Sequence, residues 1–121
     1  MPFTALAFLH LYGTVVGNGH CVALVRAAAG CPHTSLWLAG GPVRGAQLAE
    51  GTAIATFDGN GLYGNHTDGR SHACIFIEET DHGLRVADQW KLHKVSERVI
   101  RFKGGQGKPC DDGDAYRVIE V

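Results

Sequence analysis

The sequence predicts an α+β domain in which N-terminal helices pack on one side of an antiparallel sheet of about five strands. Length and composition indicate one globular core, because the chain has 121 residues, of which 45% are hydrophobic and 19% charged. The apolar spacing is helical before residue 30 and strand-like from residue 51 onward. Seventeen glycines indicate frequent tight turns. We therefore interpret residues 1–121 as a single domain.

Two helices are predicted in the N-terminal part of the chain. Thr4 can cap a short helix over residues 5–12. A second helix is predicted over residues 20–29, because this segment is rich in alanine and Gly30 can end it. Both helices precede every predicted strand, which is the order expected of an α+β domain.

The strands are predicted after a long connecting segment. Residues 32–50 are expected to be a loop with one helical turn near residues 45–49. The segment 72–79 has apolar residues on both faces, which is typical of a central strand, and the turn at 81–83 joins it to the next strand as a hairpin. The five predicted strands are 52–57, 72–79, 84–90, 98–102 and 116–121.

Charge and hydropathy argue against two classes of partner. The formal net charge is −1 and no block of like charges occurs, so nucleic acid is not expected as a partner. The apolar stretch 5–16 is too short to span a bilayer and lacks the charged start of a signal peptide. We therefore expect a protein made in the cytoplasm without a signal peptide and without membrane association.

The four cysteines do not form a recognisable metal or redox motif. No CxxC pair and no zinc-ligand spacing occurs, and His66 with His72 lacks a third ligand at sensible spacing, so neither a metal nor another cofactor is expected. Four cysteines allow three disulfide connectivities, among which the sequence does not choose. A bridge between Cys31 and Cys110 is one possibility, since both lie in Gly/Pro-rich segments.

Cys21 is the first candidate for a chemical role. It stands at the predicted start of the second helix, directly after the segment Gly17-Asn18-Gly19-His20. Free backbone N–H groups and the positive end of the helix dipole favour the thiolate there, and the thiolate is the nucleophilic form of cysteine. The alternative is that Cys21 is a small residue that packs the helix against the sheet.

His72 is the candidate base. It opens the central strand, from which its side chain can reach the terminus of a helix packed across that strand. Asp88 lies on the neighbouring strand and shares the face of His72 if position 74 pairs with 88 or 90. A register shifted by one residue would present Gln89 instead. Asp88 is therefore the expected orienting residue, with Gln89 as the alternative.

The order of four segments resembles the CHAP and NlpC-type amidases, papain-fold enzymes that cut amide bonds in bacterial cell-wall peptides. In that family the cysteine begins a helix in a "Gly-x-Cys-Val" setting, the histidine opens a strand, and a "Glu-Gln-Asn-Trp"-like stretch follows. Here an aspartate replaces the glutamate, and the asparagine of that stretch is absent. The segments are Gly19-His20-Cys21-Val22-Ala23-Leu24-Val25, Glu50-Gly51-Thr52-Ala53-Ile54-Ala55-Thr56-Phe57, Ser71-His72-Ala73-Cys74-Ile75-Phe76-Ile77 and Asp88-Gln89-Trp90.

The resemblance implies a papain-like fold and a cysteine amidase acting on peptidoglycan peptides, with Cys21, His72 and Asp88 as catalytic residues. Small members without an export signal resemble amidase effectors injected into rival bacteria by type VI secretion. A cognate immunity protein and the secretion machinery are then the implied partners, and the periplasm of a target cell is the implied destination.

Other functions stay open at this point. A papain-fold deamidase or peptidase could act on a different target, and a non-enzymatic binding or immunity module could keep the same fold. Thiol reactivity distinguishes an enzyme from a binding module, because a binding module has no need of a cysteine activated by a histidine. Trp37 and Trp90 could line a substrate groove, but each could equally be a core or lid residue.

Overall fold

The computed structural model describes residues 2–121, which form one six-stranded antiparallel sheet with one α-helix packed on it. The order of the strands across the sheet is β1-β6-β2-β3-β4-β5. The predicted α+β class with an antiparallel sheet is therefore confirmed. The elements are α1 (Cys21–Ala29), β1 (Leu38–Pro42), β2 (Ala53–Thr56), β3 (Ala73–Glu79), β4 (Gly83–Trp90), β5 (His93–Arg101) and β6 (Tyr116–Glu120).

The helix predicted over residues 5–12 is wrong: only Leu9–Leu11 forms a short 3₁₀ turn there. The reason is tertiary pairing, because the N-terminal segment uses its backbone groups on the edge of the sheet. Ala5 N–H donates to Gly51 O at 2.8 Å, and Phe3 O accepts from Ala53 N–H at 2.9 Å. Those bonds hold the segment extended and leave no backbone groups for a helix.

Helix α1 is close to its predicted position and begins one residue later, at Cys21. It buries Leu24 and Val25 against the sheet and ends at Gly30, whose left-handed conformation (φ 74°) closes the last turn. The helix thereby carries the first chemical candidate on its first residue, next to the sheet.

The connecting segment 32–50 contains a strand that the sequence did not indicate. Strand β1 consists of Leu-Ala-Gly-Gly-Pro, a composition typical of a loop, and it becomes a strand by pairing with β6. The helical turn expected at 45–49 does not form, because Gly45 (φ 81°) and Gln47 (φ 54°) adopt left-handed conformations. The sheet therefore has six strands rather than five.

The remaining strands lie close to their predicted positions, and β5 is longer at its start than the predicted 98–102. Strand β3 lies between β2 and β4, and its first five residues are all buried, as expected of a central strand. The turn at residues 80–82 connects β3 and β4 as a hairpin, closed by the bond from Thr80 N–H to Gly83 O at 2.8 Å.

The sheet separates two buried clusters. We call the side covered by α1 the helix face; its cluster includes Val25, Ala73, Ile75 and Ala87. The other side is the loop face, which is covered by the segments around Val43, Leu48 and Phe102 rather than by a helix. Its buried residues are Val43, Ile54, Cys74, Phe76, Leu84, Val86, Ile100, Tyr116 and Val118. Within residues 2–121, no helix combines the length and apolar character that a membrane crossing requires.

Candidate active site

Cys21 occupies the first position of α1, where the geometry favours a charged sulfur. His20 before it is extended and makes no side-chain capping bond to the helix. The first N–H groups of the helix therefore have no acceptor from their own helix, and the positive end of its dipole lies at the thiol. Gly17 and Gly19 allow the tight approach to this point, since both adopt positive φ (57° and 86°).

Gln89 fixes the loop that leads into α1. Its side-chain Oε1 accepts from Val16 N–H at 2.9 Å, and its Nε2 donates to Val16 O and His20 O, each at 2.9 Å. Gln89 is fully buried, so the three bonds satisfy a polar group that water does not reach. Gln89 thus directs its hydrogen bonds to the loop before α1 rather than to His72; it lies on the helix face and positions the start of α1.

His72 and Asp88 form a buried pair at the end of strands β3 and β4. The Nε2–H of His72 donates to Asp88 Oδ2 at 2.8 Å, and the two residues are 6% and 0% exposed. The register pairs Ile75 with Ala87, so position 74 lies opposite 88, the register that places Asp88 on the face of His72. The main chain of His72 is fixed to β2 by reciprocal bonds with Thr56, both at 3.0 Å.

The electrostatics of Cys21 and His72 support an ion pair. Burial alone would raise the pKa of Cys21, but hydrogen bonding with His72 and its charge outweigh that effect, and the pKa is lowered from 9.0. Burial alone would lower the pKa of His72, yet its bonds to Asp88 and Cys21 raise it to about 9. Because Asp88 occupies Nε2, the ring presents Nδ1 to the thiol. The arrangement favours thiolate and imidazolium together.

Tyr63 is a residue of the site that sequence reasoning missed. Its hydroxyl lies 3.8 Å from Cys21 Sγ, and its ring packs on Trp37 with centroids 5.0 Å apart. Burial and the charge of Cys21 raise the pKa of Tyr63, so the hydroxyl keeps its proton and can donate it to a thiolate. No sequence signal marked Tyr63, because it comes from a glycine-rich loop that only the fold brings to α1.

Arg98 is the second missed residue. Its Nε donates to Asp88 Oδ2 at 2.8 Å, the oxygen that also accepts from His72, and its guanidinium lies 5.1 Å from the centre of the Trp90 ring. The other carboxylate oxygen, Oδ1, is buried without a hydrogen-bond partner among the described residues. Asp88 thus lies between the imidazole and a guanidinium. Arg98 lies opposite Val86 on β5 and reaches Asp88 diagonally, so the sequence could have suggested it only with the register of β4 and β5 known.

The other three cysteines differ from Cys21 in pKa. Burial raises the pKa of Cys31 to about 11, raises that of Cys74 well above its usual value, and raises that of Cys110 as well. All four thiols are free, so the Cys31–Cys110 disulfide that the sequence left open is not present. Cys21 is the one cysteine whose surroundings favour the thiolate.

The two tryptophans have different places. Trp37 is fully buried in the core, and its indole N–H donates to Pro32 O at 3.0 Å. Trp90 is 39% exposed, lines the cleft beside His72, and stacks on His93 with ring centroids 3.8 Å apart. Trp90 is therefore the tryptophan that a bound substrate can reach.

No metal-binding arrangement occurs among residues 2–121, since no group of three or more His, Cys, Asp or Glu side chains is placed to hold an ion. His66 bonds instead to the carboxylate of Asp58, with Nε2 2.9 Å from Oδ2.

Comparison with known proteins gives consistent matches. The family model described as "Domesticated amidase effector 2" matches residues 8–119. The "Type VI secretion amidase effector 2 protein" of Salmonella typhi is 40% identical over 119 residues, covering 87% of this chain and 88% of that protein. A solved structure of "Type 6 secretion amidase effector 2" matches with a TM-score of 0.84 and 32% identity, covering 100% of this chain and 96% of the other.

Proposed function

The chain belongs to the domesticated amidase effector 2 family, and on that premise we propose that it cleaves peptidoglycan peptides with Cys21 as nucleophile, His72 as base and Asp88 as orienting residue. It is a hydrolase of amide bonds and a type VI secretion amidase effector. The observation that carries the proposal is the meeting of Cys21 and His72 at the cleft with the pKa of the thiol lowered. The papain-like arrangement expected from the CHAP and NlpC-type resemblance agrees with this geometry, with residues 1–121 acting as one catalytic domain.

The first half of the reaction forms a thioester. The Cys21 thiolate attacks the amide carbonyl carbon, and the carbonyl oxygen gains the negative charge. The N–H of Cys21 at the start of α1 is a donor for that oxyanion. His72 then gives its proton to the amide nitrogen as the C–N bond breaks, which releases the amine and leaves a neutral imidazole.

The second half restores the enzyme. His72 takes a proton from a water molecule, and the resulting hydroxide attacks the thioester carbonyl. The C–S bond breaks, the carboxylic acid leaves, and the thiolate and imidazolium return. Asp88 holds Nε2 throughout, so that Nδ1 faces the sulfur in both halves.

The route to the substrate is part of the same proposal. Peptidoglycan lies outside the cytoplasm, so an effector of type VI secretion reaches it in the periplasm of a target cell after delivery by the secretion machinery. A producing population then needs protection of its own peptidoglycan, which a cognate immunity protein would supply by binding at the cleft.

The experiment that tests this function is digestion of purified peptidoglycan followed by mass spectrometry of the released muropeptides. We expect products that differ from their parent by the addition of one water across a peptide amide bond. Cys21→Ala should release none, whereas Cys110→Ala, altered at a partly buried thiol outside the cleft, should match the wild type. Absence of products from the wild type would contradict the proposal and favour an amide substrate of another kind.

A further inference from the structure

The catalytic residues open onto a cleft of about 1030 Å³, large enough for a branched or cross-linked peptide. Its walls come from four parts of the fold: α1 with the residues just before it, the segment 31–34, the loop segment 63–72, and the end of β4 with Lys91. Cys21 and His72 both line it, so whatever the cleft binds lies directly beside the reacting sulfur.

The charge of the cleft differs from that of the whole chain. The chain has 12 acidic and 11 basic residues, yet no aspartate or glutamate is found among the described residues that line the cleft. Arg26 and Lys91 line it, together with the imidazoles of His20, His33 and His66. Every formal charge that the lining residues can carry at neutral pH, apart from the Cys21 thiolate, is therefore positive.

The acidic residues of the adjoining loops pair with His66 and Arg70, so they offset the charge of those two side chains and leave that of Arg26 and Lys91. Asp58 holds His66 at 2.9 Å, and Asp68 forms an ion pair with Arg70 at 2.9 Å. Arg26 and Lys91, by contrast, form no salt bridge and no side-chain hydrogen bond within the described structure. Both are exposed, so their charges are available to a ligand.

Arg26 lies on the same helix as the nucleophile and lines the same cleft. It is five positions after Cys21 on α1, a rise of about 7.5 Å along the helix axis and a rotation of about 140° around it. Its long side chain therefore reaches the cleft from the wall formed by α1, away from the reacting sulfur. Ala23 and Ala27, which flank Arg26 on the cleft side of the helix, are small and leave its guanidinium accessible. Lys91 approaches from a different wall, beside Trp90.

We propose that the cleft recognises substrates by a free carboxylate near the scissile amide, bound by Arg26, with Lys91 as a second cationic contact. This inference rests on the proposed function and specifies its substrate class as an anionic peptide. A guanidinium binds a carboxylate through two parallel hydrogen bonds, which fixes the orientation of the peptide as well as its position. Orientation of this kind brings the scissile carbonyl to Cys21.

The test compares two versions of one cross-linked stem peptide, one with free carboxylates and one with those carboxylates converted to amides. We expect kcat/KM of the wild type to be higher for the acid form by about tenfold or more, and the difference to shrink as salt is added. Arg26→Gln should lower kcat/KM for the acid form more than for the amidated form, so that the preference is lost. Arg101→Gln, which removes an exposed arginine outside the cleft, should leave the preference unchanged.

Binding measured by calorimetry with the Cys21→Ala protein separates this inference from the proposed function. Tighter binding of the acid form, reduced by Arg26→Gln, supports carboxylate recognition whether or not cleavage occurs. Equal binding and equal cleavage of both peptides would overturn carboxylate recognition while leaving the amidase function intact. A loss in Arg26→Gln that is the same for both peptides would also overturn it, because a general structural effect does not depend on the substrate charge.

Discussion

The two faces of the sheet contribute to the site in different ways. The helix face has an apolar core, and the nucleophile comes from its covering helix, α1. The loop face has an equally buried cluster, but at its end it also holds Asp88, a fully buried carboxylate between His72 and Arg98. The nucleophile and its base are thus held by separate packing layers, and they meet where β3 begins. A substitution in one buried cluster is therefore expected to displace either Cys21 or His72 more than the other.

The largest effect is expected from removing either member of the pair. Cys21→Ala and His72→Ala should each lower kcat by about 10⁵-fold or more, and the double variant should be little worse, since the two act as one unit. Thermal unfolding should distinguish substitutions on the two faces of the sheet. Cys21→Ala should unfold near the wild-type temperature, whereas His72→Ala leaves Asp88 with one partner fewer and should cost about 1–3 kcal/mol. Additive losses in kcat would show that the two residues act independently.

The next prediction compares Asp88 with Gln89, neighbouring residues whose side chains lie on opposite faces of the sheet. Asp88→Asn should lower kcat by about 10²–10⁴-fold, because an amide can hold the wrong tautomer of His72. Gln89→Ala should lower activity less and should chiefly reduce stability, since it leaves backbone groups of Val16 and His20 unpaired. The measurements are kcat and the free energy of unfolding for both variants. The opposite ranking in kcat would assign the orienting role to Gln89.

Thiol labelling compares the reactivity of the cysteines directly. At pH 7 a thiol with a pKa of about 11, as for Cys31, is thiolate in roughly one molecule in 10⁴, whereas hydrogen bonding with His72 lowers the pKa of Cys21 and favours its thiolate. Iodoacetamide should therefore label Cys21 much faster than Cys31. Peptide mapping after limited alkylation measures the ratio. Faster labelling of Cys74 or Cys110 would refute the assignment of Cys21 as nucleophile.

The smallest effect on turnover is expected from substitution of Arg98. The active form needs Cys21 deprotonated and His72 protonated, so the rate should rise with pH through the pKa of Cys21 and fall near pH 9, where His72 loses its proton. Removing the neighbouring cation favours imidazolium, so Arg98→Gln should move the basic limb of the pH profile to higher pH. The same substitution removes a hydrogen bond that holds Asp88, so it should also lower kcat by about tenfold.

Arg98→Lys is the matched control, because it keeps the charge and should hold the basic limb at its wild-type position. A purely structural role of Arg98 predicts instead that both variants lower kcat without moving that limb. The measurement is the pH profile of kcat/KM for the three proteins.

The sequence was informative where local patterning decides the structure. Apolar and β-branched runs separated by Gly, Asp and Asn located β2, β3, β4 and β6, and the alanine-rich segment before Gly30 located α1. The placement of Asp88 near His72 depended on one register, in which position 74 pairs with 88, and the structure adopts it. That register was one of two open choices, because side-chain patterning alone did not exclude a shift by one residue.

The sequence failed where tertiary contacts decide. Strand β1, with its Gly-Gly-Pro end, has no strand propensity and is formed by its pairing with β6. The segment 5–12 was predicted to be helical, yet the bonds of Phe3 to Ala53 and of Ala5 to Gly51 hold its start along the sheet. Tyr63 reaches the site because of the path of its loop, and Arg98 because of the register between β4 and β5. Neither feature leaves a local signal in the sequence.

The unpartnered oxygen of Asp88 bears on how this protein can evolve. A buried carboxylate shared between an imidazole and a guanidinium is costly to desolvate, and apolar side chains of similar size in place of such groups are often neutral or stabilising by about 1–4 kcal/mol. Variants that replace His72, Asp88 and Arg98 together with apolar residues of similar size leave no buried polar partner unpaired, and they should therefore fold at least as well while losing turnover. Under selection for stability alone, descendants would therefore tend to lose activity. Retention of these charges in a lineage would indicate selection for catalysis.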